Sequence, residues 1–414
     1  MKVLFVNKYF YPKGGSEISM FETAKILEAK GHKVIYFSMR DEKNLFSEQE
    51  KHFISGVQYE GNVWAKVDAS LKLLYSFEAR KKIESLIREE RPDVAHLNNI
   101  YHQISPSIIH SLKKFGIPLV MTLHDYKMVC ASYSMLNSGK ICEACKDGKY
   151  YYCFLKGCVK NSRMKSLLNT FEMYLHQDIL RIYDAVDVFV SPYSNYFENK
   201  LKEMGFKRNI VHLQNFLRLG EFQPEYDWQE NSIVYFGRLS REKGVLTLIK
   251  AMKGTRGVVL KIIGEGPMEK TLKNFVEKEN IENVRFLGHR TGLDLKNELA
   301  KSMFVVVPSE WYEPFALTII ESFALGKPVI GARIAGIPDR VMEGETGFLF
   351  EMGNPDDLRS KIEYMLNNTD SISQMGRKAR RFVEKEFDAD KHYQGLMSIY
   401  EAALQRQKSA DYLP

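Results

Sequence analysis

Cysteine is missing from this 414-residue chain except in one place: all five, Cys130, Cys142, Cys145, Cys153 and Cys158, fall in a single short stretch. Scattered core thiols would not cluster in this way. The grouping points to metal binding or thiol redox chemistry more than to a disulfide framework. Long apolar runs are missing too. No stretch of eighteen apolar residues occurs, so no spanning helix is expected. The opening run Val3-Leu4-Phe5-Val6 is too short for a signal peptide, and Asn7 and Lys8 follow at once. A cytoplasmic location is therefore expected, with a peripheral place on the inner face of the membrane left open. Also absent is a Gly-x-Gly-x-x-Gly loop after Val6, which argues against a nicotinamide-dependent dehydrogenase. The net charge of +7 is mild for this length, and no nucleic-acid-fold signature goes with it, so no nucleic-acid partner is expected. What remains, 44% hydrophobic and 27% charged residues, is the composition of a folded chain with sizeable cores, and its length suggests two or three domains.

The apolar residues come in short runs separated by helical stretches. Residues 2–7 form a run fit for a buried parallel strand. A loop through Lys13-Gly14-Gly15 follows, and Ser16 is placed to cap a helix that Gly31 stops. A second strand is expected at 33–39, then a long charged helix over 71–90, with further strands at 93–97, 118–123 and 186–190. The pattern lapses between 215 and 228 and restarts with strands at 232–236, 258–263, 284–287, 304–307 and 328–330. Two rounds of alternating strand and helix predict an α/β protein of two parallel-sheet domains. The boundaries expected are 1–215, with an insert at 127–165, then 216–387. A last helix over 388–414, with apolar positions at Tyr393, Leu396, Met397, Tyr400 and Leu404, is expected to return to the first domain.

Ligands of open parallel sheets sit beyond the carboxyl ends of the strands. Three loops at such ends carry chemistry. In Gly14-Gly15-Ser16-Glu17, two glycines let backbone amides approach a phosphate at a helix N-terminus, though a plain strand-helix turn would look the same. In Gly237-Arg238-Leu239-Ser240-Arg241-Glu242-Lys243-Gly244, Arg238 and Lys243 could clamp a diphosphate or be an ordinary solvated surface. In Glu313-Pro314-Phe315-Ala316-Leu317, leading to Glu321, two acids eight apart stand before and inside a helix start, able to reach one ligand from two heights. A capping acid and a solvated acid would look the same. His124, after the 118–123 strand, is a fourth candidate, against the plainer role of bonding a backbone carbonyl. His96, Asn98 and His102 are weaker acceptor-side candidates.

Taken in order, these loops resemble the signatures of the retaining glycosyltransferases of family 4. Glu313 to Glu321 is similar to that family's E-x7-E. Gly237-Arg238-Leu239 with Lys243-Gly244 is similar to its G-R-L-x-x-x-K-G. Gly31-His32-Lys33-Val34, Gly336-Ile337-Pro338 and Gly347-Phe348-Leu349 fit as well. The resemblance implies the GT-B fold, two Rossmann-like domains facing across a cleft. It implies that Arg238 and Lys243 hold a donor diphosphate, assisted by Gly14, Gly15 and the amides near Phe315, Ala316 and Leu317. It gives Glu321 the ribose hydroxyls, Glu313 and His124 the sugar, and Gly264, Glu265, Pro267, Phe286 and Leu287 the base. The catalytic set is then His124, Arg238, Lys243 and Glu313, in a hexosyltransferase that needs no cofactor for the chemical step. The donor implied is a nucleotide sugar, UDP-linked by family frequency, and the acceptor a saccharide or lipid-linked saccharide of surface-glycan synthesis. Two departures stand out. Ala316 replaces a frequent glycine, and Asn215-Phe216-Leu217-Arg218 replaces an interdomain Asn-Gly-Val-Asp. A nucleotide-sugar 2-epimerase of the same fold and a non-catalytic sugar-nucleotide-binding subunit are the rival readings.

The insert is the other unusual stretch. Between Lys127 and Lys165 it holds eight Lys or Arg against Glu143 and Asp147, with Tyr133, Tyr150, Tyr151, Tyr152 and Phe154 interleaved. Cys142, Cys145, Cys153 and Cys158 could supply four thiolates to a structural Zn²⁺, the first pair at knuckle spacing and the second wider. Disulfide or redox-active thiols and incidental thiols are the alternatives. The basic-aromatic mixture suits an anionic membrane surface, or a solvated face over a small aromatic core.

Overall fold

Strands that are buried on both faces are largely apolar, and the near-continuous runs read above become two fully parallel sheets. In the computed structural model, residues 1–56 and 63–411 are described. The first domain contains β1 (Lys2–Val6), α1 (Gly15–Ala29), β2 (Lys33–Phe37), α2 (Val63–Leu74), α3 (Phe77–Glu90), β3 (Val94–Leu97), α4 (Ile108–Lys114) and β4 (Leu119–Thr122). The insert follows with the two-residue hairpin β5 (Leu136–Asn137) and β6 (Lys140–Ile141), then α5 (Tyr151–Lys156) and α6 (Arg163–Tyr174). The domain closes with β7 (Val188–Ser191), α7 (Asn195–Glu203) and β8 (Ile210–His212). Its sheet has the order β2-β1-β3-β4-β7-β8.

The second domain runs through β9 (Ser232–Phe236), α8 (Val245–Met252), β10 (Val259–Ile263), α9 (Glu269–Lys278), β11 (Val284–Gly288), α10 (Gly292–Ala300) and β12 (Phe304–Val307). It continues with α11 (Leu317–Ala324), β13 (Val329–Ala332), β14 (Gly347–Phe350), α12 (Pro355–Asn367) and α13 (Thr369–Glu386). Its sheet order is β11-β10-β9-β12-β13-β14. Both sheets therefore reverse direction beside their first strand, β1 against β3 and β9 against β12. These switch points are where open α/β sheets leave a crevice for ligands.

The last helix, α14 (Ala389–Asp411), leaves the second domain and packs on the first. Leu396, Ile399, Tyr400 and Ala403 join Val3, Phe5, Met20 and Leu27 in one buried cluster. Polar contacts fix the docking: the Tyr400 hydroxyl meets His96 Nδ1 at 2.7 Å and Tyr393 meets His32 Nε2 at 2.8 Å. Asp388 caps the helix, accepting from the Lys391 amide at 2.8 Å. Near its end Gln407 accepts from Lys113 and Arg406 donates to the Asp187 carbonyl.

Some local expectations change. The single helix expected over 71–90 is two, because Ser76 caps α3, its hydroxyl accepting from the Ala79 amide at 3.1 Å. Ser16 does not cap α1: the helix starts at Gly15 with Gly14 at the cap position and no side-chain cap, while the Ser16 hydroxyl accepts from Asn99 at 3.0 Å. Edge strands β8 and β14, only three and four residues long, are additions to the expected set.

Candidate active site

A cleft of about 780 Å³ opens between the two switch points. That is ample for a ligand of nucleotide-sugar size. On the first domain's side, α1 points its uncapped start into it. The amides of Gly15, Ser16 and Glu17 lack intrahelical acceptors, and the space above Gly15 is open. The helix dipole adds partial positive charge there, so the wall is made for an anion.

Facing it across the cleft is the loop after β9. Arg238 lines the cleft and is exposed to it. Lys243 does not line it; its ammonium donates to Glu313 Oε2 at 2.6 Å. Glycine brings that lysine in: Gly244 has φ of 67°, and a Cβ there would lie 1.8 Å from the Pro308 carbonyl oxygen. Only a residue without a side chain lets the β9 loop lie on the β12 loop. Glu313 Oε2 also accepts from Ser309 and from the Trp311 indole, each at 3.0 Å. None of the described hydrogen bonds uses Oε1, and Glu313 lines the cleft.

Glu321 sits one turn into α11 and faces the same space. No described residue donates a hydrogen bond to it. Burial pushes its carboxyl up to about 7, with Lys296 pulling the other way. A carboxyl without a partner, lining a cleft, is ready to accept from hydroxyls. Its cost to the empty fold has a definite sign. Because the folded pKa lies above the unfolded one, stability is lost as pH rises from about 4.5 to 7. At one pKa unit per ~1.4 kcal/mol, the cost above pH 7 is about 3–4 kcal/mol. Glu321→Gln is therefore expected to raise stability by that order at pH 8, to change it little at pH 4.5, and to weaken donor binding. Denaturant titrations at the two pH values check this; equal stability at pH 8 would mean the burial account is wrong.

The inner wall belongs to the first domain. His124, just past β4, lies within 2.8 Å of Asn98 Oδ1, and the Tyr193 hydroxyl donates to its carbonyl at 3.2 Å. Burial, with the Lys8 charge, depresses its pKa to about 3, so the ring is neutral near pH 7. Asp125 beside it is pushed up by burial, although its carboxylate accepts from the Lys127 amide. Phe315 lines the cleft and stacks on Tyr193 with centroids 5.4 Å apart, joining the two walls. His96 and His102 face inward instead: His96 bonds Tyr400 and Thr122, and His102 lies 3.7 Å from Glu172.

The structure thus gathers Gly15, His124, Arg238, Glu313, Phe315, Leu317 and Glu321 on one cavity surface. Gly14, Lys243, Gly264, Glu265, Pro267, Phe286, Leu287 and Ala316 lie outside that lining. Several of them support it from behind. A Cβ on Gly264 would sit 1.9 Å from the Gly237 carbonyl, and the Glu265 carbonyl accepts from Leu239, so the 264–267 loop props the Arg238 loop. Phe286 and Leu287 lie in β11, on the edge of the sheet.

Other lining residues escaped the sequence reading. Asp125 and Asn99 follow strand ends already singled out, so their position was the available signal. Ser19, whose hydroxyl donates to Asn215 Oδ1 at 3.0 Å, and Arg218, paired with Glu22, join α1 to the interdomain segment. Nothing local in the sequence marks those pairs. Tyr133, Ser134 and Leu136 bring the insert into the cleft wall, and the Tyr312 hydroxyl donates to Glu143 at 2.6 Å.

The cysteines are a correction. Cys145 and Cys153 are buried with Tyr150 and Met173 in a small apolar cluster against which Cys158 packs. Cys158 accepts from Asn137 at 3.4 Å, and Cys142 from Lys156 at 3.6 Å. Among the described residues no three Cys, His, Asp or Glu side chains are grouped to hold a metal ion. The four-thiolate Zn²⁺ cage expected at Cys142, Cys145, Cys153 and Cys158 is not supported by this arrangement. Cys153 and Cys158 hydrogen-bond to one another, and burial raises the Cys145 thiol, helped by the nearby Cys130, Cys158 and Cys142.

Comparison with known proteins places the chain. The profile described as Glycosyltransferase Family 4 matches residues 13–219, and that of Glycosyl transferases group 1 matches 221–382. The chain belongs to this family of glycosyltransferases, and its fold is GT-B, two Rossmann-like domains across a cleft.

It is 32% identical over 208 residues to an uncharacterised glycosyltransferase of Methanocaldococcus jannaschii, a match covering 50% of this chain and 58% of that protein. An N-acetyl-alpha-D-glucosaminyl L-malate synthase of Bacillus anthracis is 24% identical, covering 96% of this chain and 97% of that one. The capsular polysaccharide biosynthesis glycosyltransferase CapM of Staphylococcus aureus is 26% identical, over 75% of this chain and 80% of its own. Among solved structures, sucrose-phosphate synthase from Thermosynechococcus elongatus superposes with a TM-score of 0.71 at 19% identity, covering 97% of this chain and 98% of that one. HepE of Anabaena, solved with UDP and glucose, gives 0.69 at 16%, covering 97% and 100%.

Proposed function

We propose that the protein transfers a hexosyl group from a nucleotide-diphosphate sugar, UDP-linked, to a saccharide or lipid-linked saccharide acceptor of surface-glycan synthesis, with retention of configuration. The observation that carries this is the meeting of three groups in one cleft: the uncapped start of α1, the Arg238 guanidinium, and the unpartnered Glu321 carboxyl.

Each has its part. Breaking the anomeric bond leaves an oxocarbenium-like sugar and a departing diphosphate. The α1 amides and Arg238 stabilise the phosphate charge where it develops. Glu321 accepts from the ribose hydroxyls. Glu313, its Oε2 locked by Lys243, Ser309 and Trp311, turns Oε1 to the sugar, and neutral His124, whose Nε2–H is given to Asn98 Oδ1, lines the sugar's side of the cleft without adding charge. Lys243 positions Glu313 and adds its positive charge behind the cleft wall. The acceptor hydroxyl attacks on the face the diphosphate leaves, and the leaving phosphate takes its proton.

Names of relatives support the setting: CapM is a capsular polysaccharide enzyme, and HepE was solved with UDP and glucose. A thermal-shift panel of UDP-glucose, UDP-N-acetylglucosamine and a GDP-sugar is the test. A ligand at one hundred times its dissociation constant adds ~2.7 kcal/mol, a readily measured shift. One UDP-sugar is expected to stand out, and its product with acceptor to keep the donor's anomeric configuration. No shift from any nucleotide sugar, or release of free epimerised sugar without acceptor, would overturn the reading.

A further inference from the structure

Helix α6 is inside out. Its buried positions include Ser166, Asn169, Thr170 and Glu172. Each has a partner: Ser166 donates to the Ser162 carbonyl, Asn169 to that of Ala131, Thr170 to that of Tyr150, and Glu172 pairs with Lys127. Its outer positions are apolar: Met164 is 74% exposed, Leu167 44% and Phe171 49%. Their spacing of three and four puts them on one face. A surface helix of a water-soluble domain normally has the opposite arrangement.

The helices packed against α6 also expose apolar side chains. Tyr151 and Leu155 of α5, and Val67 and Leu71 of α2, are exposed four residues apart. Contiguous helices exposing apolar side chains in this way mark an interaction surface.

Charge identifies the occupant. Lys156, Lys160, Arg163 and Lys165 are exposed at the end of α5 and the start of α6. No described acid pairs with them. Arg163 and Lys165 occupy the first turn of α6, where the helix dipole favours acids, and that turn has none. α5 has no acid, the only acid of α6 is the buried Glu172, and Asp68 of α2 is held by Lys72 at 3.0 Å. A self-complementary dimer on this patch would set the cations against one another. A bilayer surface takes both features at once, apolar side chains into the headgroup boundary and cations on lipid phosphates.

We propose that α6, with α5 and α2, docks the protein on an anionic lipid surface, lying in its plane. The insert that carries α5 and leads into α6 also lines the cleft through Tyr133, Ser134 and Leu136, so docking would present the acceptor side of the site to the membrane. That consequence rests on the transferase reading; docking itself does not.

The experiment is flotation of the full chain with phosphatidylcholine vesicles, with and without phosphatidylglycerol. The wild type is expected to float at least tenfold more with the anionic vesicles. Leu167→Glu/Phe171→Glu, and separately Lys160→Glu/Arg163→Glu/Lys165→Glu, are expected to lose that binding at least tenfold with melting temperature and donor-induced thermal shift unchanged. The charge variant covers the case in which the apolar one fails to fold. Flotation uses neither donor nor acceptor, so its failure and the failure of the transferase reading are read separately. A wild type that stays at the bottom, variants that float like wild type, or an apolar variant that merely turns a dimer into a monomer would overturn the proposal.

Discussion

Arg238→Ala and Lys243→Ala are each expected to lower turnover by about 10²–10³-fold, the scale seen when one preorganised group opposite developing charge is removed. The two should fail for different reasons. Arg238 is exposed to the cleft and enters no described ion pair. Its loss removes stabilisation of the leaving diphosphate and should leave the melting temperature unchanged. Lys243 donates to Glu313, so its loss also frees that carboxylate, although Ser309 and Trp311 still hold Oε2. A small loss of stability and a pH profile displaced from wild type are expected for Lys243→Ala alone. Rates of nucleotide release, measured beside thermal unfolding, separate these outcomes. Near-normal turnover in both variants would sink the assignment of leaving-group charge to this loop.

The largest effect on stability is expected from Lys127. It is 1% exposed and donates to Glu172, itself fully buried, at 2.6 Å, with His102 and His176 each 3.7 Å from the same carboxylate. Burial alone would raise the Glu172 carboxyl; the Lys127 ammonium and the two histidines reverse this and hold it well below the usual carboxylate range. Removing one partner of a buried pair strands the other, typically at ~3–5 kcal/mol. Lys127→Met is expected to cost that much in denaturant unfolding. The double change Lys127→Met/Glu172→Leu should recover most of it, since an apolar pair of similar volume needs no compensation. A cost below ~1 kcal/mol for the single change would show that the pair does not hold the insert in place.

Lys127 also shows where reading the sequence reached its limit. In a count of charge along 127–165 it stands with the surface lysines, yet it is fully buried. Tyr150, grouped with exposed aromatics, is buried with Cys145 and Cys153. Charge and aromaticity report what a residue is, not which way it points, and direction in the insert depends on partners 20 to 50 positions away. The sheets were legible because burial on both faces leaves only isolated polar positions, such as His96 and Lys261, in otherwise apolar runs. β8 and β14 escaped because three or four residues at a sheet edge leave too little pattern. The break between α2 and α3 escaped because the apolar period continues across it, and only the Ser76 cap marks the restart. In the site, Arg238, Glu313 and Glu321 were legible because their loops follow strands at a switch point. The lock of Lys243 on Glu313 was not, because it depends on the absent side chain of Gly244.

The return of α14 has a mechanical meaning. The chain crosses between the domains twice, once in the segment after β8 and once between α13 and α14. These crossings are not apart: the Leu217 amide donates to the Phe387 carbonyl at 3.1 Å. Two tethers at one point make a pivot. One domain can swing about that spot while each keeps its own core intact, as in a pair of tweezers joined at the heel. The jaws are then Gly15 on one side and Arg238 with Glu321 on the other, and parting them would separate the Phe315–Tyr193 stack and the Tyr312–Glu143 hydrogen bond that join the walls.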